Sequence, residues 1–133
     1  MITDDKSIKL PINLAVYGTL KKGYGNHYLI KECLYMGEVL LPNMRCYMGS
    51  SFPMAWYDKE SSQKLKCEVY LISDQKVLDQ LHSLEGHPDF FRCVRHPEPI
   101  EGEHIVWFYQ CEHHREDWKH AVDELPILEW SRT

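Results

Sequence analysis

Two parts of this sequence carry residue types suited to chemistry: a glycine-rich stretch at residues 16–25, VYGTLKKGYG, and a carboxylate, Glu85, within LDQLHSLEGHP at 78–88. In the first, an apolar run at 13–17 stops at Gly18. Successive backbone N–H groups beyond that point can face a carboxylate or a phosphate, and a glycine there lets a ligand approach closely. Gly18 and Gly23 have the spacing that opens a P-loop, but Tyr24 and Gly25 stand where the phosphate-binding Lys and the metal-binding Ser or Thr belong. That absence excludes nucleotide binding of the P-loop kind. Taken alone, the stretch also reads as an ordinary glycine-rich connection.

Glu85 ends an apolar helical stripe and directly precedes Gly86. From a rigid helix end it can point into an apolar pocket, where partial burial would raise its pKa into the range useful for proton transfer. The competing reading is a solvated carboxylate, although its place near a helix C-terminus opposes the helix dipole. Glu68, in CEVY at 67–70, faces away from the apolar side of its strand, toward either solvent or the interior of a barrel.

Eight histidines invite a metal reading, above all His113 and His114 in CEHH at 111–114, with Cys111 beside them and His120 further on. No HExxH or complete ligand set accompanies them, and adjacent histidines point in different directions, so no metal site is expected. The five cysteines, Cys33, Cys46, Cys67, Cys93 and Cys111, are an odd set with irregular spacing and no CxxC. They read as reduced thiols, mostly buried, rather than as a disulfide framework.

Strands are expected at 13–17, 34–41, 44–48, 54–57, 65–72, 91–95 and 104–110, from short apolar or alternating runs bounded by turn residues. In the fifth of these, Leu65, Cys67, Val69 and Leu71 share one face. The clearest helix starts at Ser73 or Asp74 and carries Val77, Leu78, Leu81 and Leu84 before Gly86 and Pro88. Weaker helical patterns lie at 26–33 and 113–122. Strands and helices do not alternate regularly, which disfavours a doubly wound parallel sheet. The expected class is mixed α+β: a small closed or strongly curved, barrel-like sheet with a few packed helices.

The chain has 133 residues, 44% of them hydrophobic and 26% charged, which fits one globular domain, placed at 13–122 between tails at 1–12 and 123–133. A net charge of −5, with no basic run longer than Lys21 and Lys22, argues against a nucleic-acid partner. The start has neither a basic n-region nor an apolar h-region, and no apolar run is long enough for a bilayer, so a cytoplasmic protein with no membrane partner is expected.

Taken together, YGTLK at 17–21, GSSFP at 49–53, CEVY at 67–70 and LxxLEGxP at 81–88 resemble, in order and spacing, the γ-glutamyl cyclotransferase-like superfamily, in its γ-glutamylamine cyclotransferase, AIG2-like and YtfP-like branch. The resemblance covers about residues 14–110. It implies a compact barrel-like fold and a loop, here Tyr17, Gly18, Thr19 and Leu20, that binds the α-amino acid end of a small γ-glutamyl substrate through main-chain groups. It further implies Glu85 as the group that moves protons while the substrate's α-amine attacks its own γ-carbonyl, releasing 5-oxoproline and an amine without metal or organic cofactor. Glu68 and Phe91 are further candidates for substrate contact. Many relatives carry P-x-x-Y-x-R after the glutamate; here Phe91 and Cys93 occupy the Tyr and Arg places, and Cys67 stands where glycine is frequent. The alternative on the same scaffold is a noncatalytic small-molecule or protein-binding module.

Overall fold

In the computed structural model, the described residues are 8–48, 52–100, 104–113 and 126–131. Eight strands and one α-helix follow in the order β1 (Ile12–Val16), β2 (Leu34–Leu41), β3 (Met44–Tyr47), β4 (Met54–Tyr57), β5 (Lys64–Ile72), α1 (Gln75–Glu85), β6 (Phe91–Arg95), β7 (Val106–Cys111) and β8 (Ile127–Leu128). The expected helix at 26–33 is only a 3-10 turn, His27–Leu29, and the pattern at 113–122 lies almost wholly outside the described residues.

The main sheet is six-stranded and mixed, ordered β2-β5-β1-β7-β6, with β8 added parallel to the start of β5. Among the described residues it does not close: β2 and β6 end the order and do not pair with each other. The closed barrel considered from the sequence is therefore corrected to an open sheet, because strand patterns fix which residues face inward and leave edge pairing undecided. β3 and β4 form a separate antiparallel hairpin.

β1 is the centre of this arrangement. It runs antiparallel to β5, from Ile12 opposite Ile72 to Val16 opposite Glu68, and parallel to β7, with Ala15 opposite Phe108. Both of its faces are buried: Leu14 and Val16 pack with Leu78 and Leu81 of α1, while Ala15 and Tyr17 pack with Met44, Cys46 and Ala55 of the hairpin. A strand covered on both faces reads as a continuous apolar run, which is what 14–17 shows.

β5 departs from simple alternation for the same reason. Leu65, Cys67 and Val69 face the hairpin-side core, but Tyr70 and Ile72 are buried in the helix-side core and Leu71 is half-exposed. Its first half buries one face and its second half both.

The helix forms where the apolar spacing places it. The Asp74 side chain caps its start by accepting from the Lys76 N–H at 2.9 Å, and Leu78 and Leu81 are buried. Its end is a Schellman turn: Gly86 takes φ 67°, while the N–H groups of Gly86 and His87 bond to the carbonyls of Ser83 and His82. Near the chain's other end, Trp130 lies in the stretch read from sequence as a tail, yet it is buried, and its carbonyl accepts from Nζ of the buried Lys21 at 2.6 Å. Among the described residues no helix is long and apolar enough to cross a membrane.

Replacing Lys21 by Ala is expected to lower stability by about 2 kcal/mol through loss of this charge-assisted bond, read as a lower urea midpoint with unchanged slope.

Candidate active site

The parallel pairing of β1 and β7 brings their C-terminal ends side by side, and the C-terminal end of α1 lies against them. Between these ends is a cavity of about 240 Å³ whose walls include Tyr17, Gly18, Thr19 and Leu20 on one side and Glu85 on another. Phe91 and Tyr109 complete the inner wall. The two sequence features that looked unremarkable separately thus line the same space.

The loop offers the cavity its backbone. Tyr17 and Leu20 are buried, and the Tyr17 hydroxyl donates to the Tyr109 carbonyl at 2.5 Å, so that side chain ties β1 to β7. Burial pushes the Tyr17 phenol well above its usual pKa and keeps it a donor. Thr19 is held twice by Asn26, whose N–H bonds to the Thr19 carbonyl at 3.1 Å and whose Nδ2 donates to the Thr19 hydroxyl at 2.9 Å. Among the described residues, the N–H groups of Gly18, Thr19 and Leu20 donate to no protein acceptor, leaving a row of three donors for an anion.

Glycine at position 18 serves close packing rather than conformational freedom. Its φ is not positive; a Cβ placed there would lie 3.0 Å from Cγ of Pro53 and 3.1 Å from its Cδ. A rigid ring closes that wall of the cavity against bare backbone.

Glu85 is half-buried, and removal from water raises its carboxyl pKa from the usual 4.5 to about 7. It stands poised between acid and base near neutral pH. Tyr109 is nearby: its phenol is held neutral by burial first, with the Glu85 carboxylate adding to the effect, and it shares a 2.7 Å hydrogen bond with Nδ1 of His82. His82 stacks on His87 at 3.9 Å, and His87 Nδ1 accepts from the Cys93 N–H at 3.1 Å.

Glu68 does not line this cavity. Its Oε1 accepts from the Lys22 N–H and from the Tyr70 hydroxyl, each at 2.9 Å, so it braces the far end of the glycine loop. Cys93 is fully buried. Cys46, Cys67 and Cys111 are also buried, and burial raises the pKa of all three, to about 12 for Cys46. No three His, Cys, Asp or Glu side chains among the described residues come together as a metal site; His114 and His120 lie outside those residues.

A family model described as gamma-glutamyl cyclotransferase, AIG2-like, matches residues 14–132. The chain belongs to this family. Among relatives, a provisionally named gamma-glutamylcyclotransferase of Methanocaldococcus jannaschii is 32% identical over 78 residues, 58% of this chain and 63% of that one. A similarly named protein of Pyrococcus horikoshii is 31% identical over 74 residues, 56% and 60% of the two lengths. The crystal structure of that horikoshii protein superposes with a TM-score of 0.62 at 25% identity, covering 77% of this chain and 80% of the other. An AIG2-like protein of Mus musculus shares the fold, with a TM-score of 0.63 at 20% identity over 92% and 97% of the two chains.

Within this gamma-glutamyl cyclotransferase-like chain, sequence reasoning passed over Asn26, Tyr109 and, as a cavity residue, Pro53. In the sequence Pro53 stands out only as the last residue of the GSSFP motif. Asn26 follows the third glycine of the loop, and Tyr109 sits two residues from the end of β7; neither position carries a local signal of chemistry.

The raised pKa of Glu85 has a consequence for stability. The folded protein retains a proton that the unfolded chain loses, so this group's contribution falls as pH rises from about 4.5 to about 7. Replacing Glu85 by Gln removes the cost of ionising there. The variant is expected to match the parent near the lower limit and to exceed it above neutrality by on the order of 3 kcal/mol at most, at roughly 1.4 kcal/mol per pH unit. Thermal melts across that range measure the difference.

Proposed function

We propose that this chain is a γ-glutamyl cyclotransferase that converts a small γ-glutamyl amide into 5-oxoproline and a free amine. The observation that carries the reading is the position of Glu85, a carboxyl with pKa about 7, in the same cavity as the three donors of the Gly18 loop.

In this reaction the substrate's α-carboxylate binds the N–H groups at 18–20, which leaves its α-amine toward Glu85. The Glu85 carboxylate takes a proton from the α-amine, whose nitrogen bonds to the γ-carbonyl carbon of the same molecule. A tetrahedral oxyanion forms, with loop N–H groups and the neutral Tyr109 phenol as candidate donors. The γ-carbon to amide-nitrogen bond then breaks as the protonated Glu85 passes its proton to the departing nitrogen. Atoms and charge balance with no water, metal or redox partner.

Folding one flexible substrate into five-membered-ring geometry is the main task, since nucleophile and electrophile already belong to one molecule. The small cavity supports this. Tyr109 also bears on Phe91: the hydroxyl missing from position 91 has a counterpart on the adjoining strand.

Incubation with a panel of γ-glutamylamines is expected to release 5-oxoproline, and Glu85→Gln to lower kcat by about 10²–10⁴-fold. Saturable binding without product anywhere in the panel, or activity that survives this substitution, would reject the assignment. The first outcome selects the binding-module alternative.

Because the ionised carboxylate is the base, kcat/KM is expected to rise with pH through a limb near 7 that Glu85→Gln removes. Gly18→Ala, which crowds the Pro53 ring at 3.0 Å, is expected to raise KM about tenfold or more by displacing the cradle.

A further inference from the structure

The cavity has a second character that the ring-closing chemistry leaves unused. Beyond Glu85 its wall is apolar and mostly aromatic. Phe52 and Phe91 lie with ring centroids 6.3 Å apart, Phe90 is 5.0 Å from Phe91 and 6.2 Å from Phe52, and Leu84 and Pro53 flank them.

The wall runs out to the surface. Phe91 is 4% exposed, whereas Leu84 is 43% and Phe90 45% exposed, so two large apolar side chains form an open lip. Phe90 packs against the helix end that carries Glu85: its N–H donates to the Gly86 carbonyl at 2.9 Å, and its Cβ lies 3.1 Å from where a Cβ on Gly86 would be.

Among the described residues, no charged side chain lines this part of the cavity, and Glu85 is the only charged one lining the cavity as a whole. Arg92, next in sequence to Phe91, pairs with Glu112 at 3.2 Å, and the Lys21 ammonium is held by the Trp130 carbonyl. A leaving amine with an ammonium or carboxylate tail would lose water there without gaining a counter-charge. A ring or branched hydrocarbon would cover Phe90 and Leu84 and meet aromatic edges and faces at favourable distances.

We propose that the amine released by this site carries an uncharged apolar substituent, aromatic or arylalkyl, seated against Phe52, Phe90 and Leu84. This rests on the γ-glutamyl reading above and narrows it from any amine to one chemical class. The cavity, at about 240 Å³, is below the roughly 300–1,000 Å³ of common ligand pockets, so it suits a γ-glutamyl head with one such group across the lip rather than a longer peptide.

The test separates affinity from turnover. Calorimetric binding to the Glu85→Gln protein is measured for γ-glutamylbenzylamide and for the isopeptide joining γ-glutamate to the lysine side chain, and again in the same protein with Phe90→Ala added. Benzylamide binding at least tenfold tighter, narrowing to less than threefold after the Phe90 change, is expected. Equal binding, tighter isopeptide binding, no binding of either, or a ratio untouched by Phe90→Ala overturns the proposal. Parallel 5-oxoproline assays on unaltered protein report on the reaction itself. An apolar preference in binding with no product from either compound retains the proposed preference and rejects the cyclisation, whereas turnover without preference does the reverse.

Discussion

The site depends on where β1 stops. That strand is hydrogen-bonded along both edges and buried on both faces, so it has almost no freedom to shift or slide. Its last residues deliver the backbone at 17–20 to a fixed place, and its parallel partner β7 delivers Tyr109 beside it. The Tyr17 hydroxyl on the Tyr109 carbonyl then joins the two ends. The loop is braced from beyond by Glu68 on Lys22 and by Asn26 on Thr19. A glycine-rich stretch that would be mobile in isolation is held as a fixed row of donors.

Glu85 shows how local and tertiary demands oppose each other. A carboxylate at a helix C-terminus and partly removed from water is electrostatically disfavoured twice over. The fold accepts this because the buried leucines of α1 and the Schellman turn at Gly86 hold the helix end in place regardless. The result is a carboxyl whose proton is in balance near neutrality. The same burial keeps Tyr17 and Tyr109 protonated, so these phenols remain neutral hydrogen-bonding groups.

Features written in short stretches of sequence were legible. The span of α1, its Asp74 cap and Gly86 stop followed from residue types, and so did the short strands. Tyr17, Gly18, Thr19, Leu20, Phe91 and Glu85 were selected together through motif resemblance, and their geometry shares one cavity. What could not be read depends on distant partners. The reason for glycine at 18 is Pro53, thirty-five positions away in the chain, and no local pattern announces that approach. Tyr109 becomes a cavity residue only through the parallel register of β7 on β1. Glu68 was recognisable as a polar residue on an apolar strand, but its direction depended on the N–H of Lys22. Sheet closure was likewise undetermined, since alternation along a strand says nothing about whether the first and last edges meet.

The cavity draws its two kinds of wall from different parts of the architecture. The donor row and the carboxyl come from the end of a doubly paired strand and the end of a packed helix, whereas Phe52 and Phe90 belong to connecting segments outside the strands. Changes in those connections can reshape what the cavity admits while the strand and helix ends keep their positions. The Gly18 contact with Pro53 marks the boundary between these regions, because there a connecting residue presses directly on the strand's own backbone. Divergence within this architecture is therefore easiest at the aromatic lip and most constrained at that single point of contact.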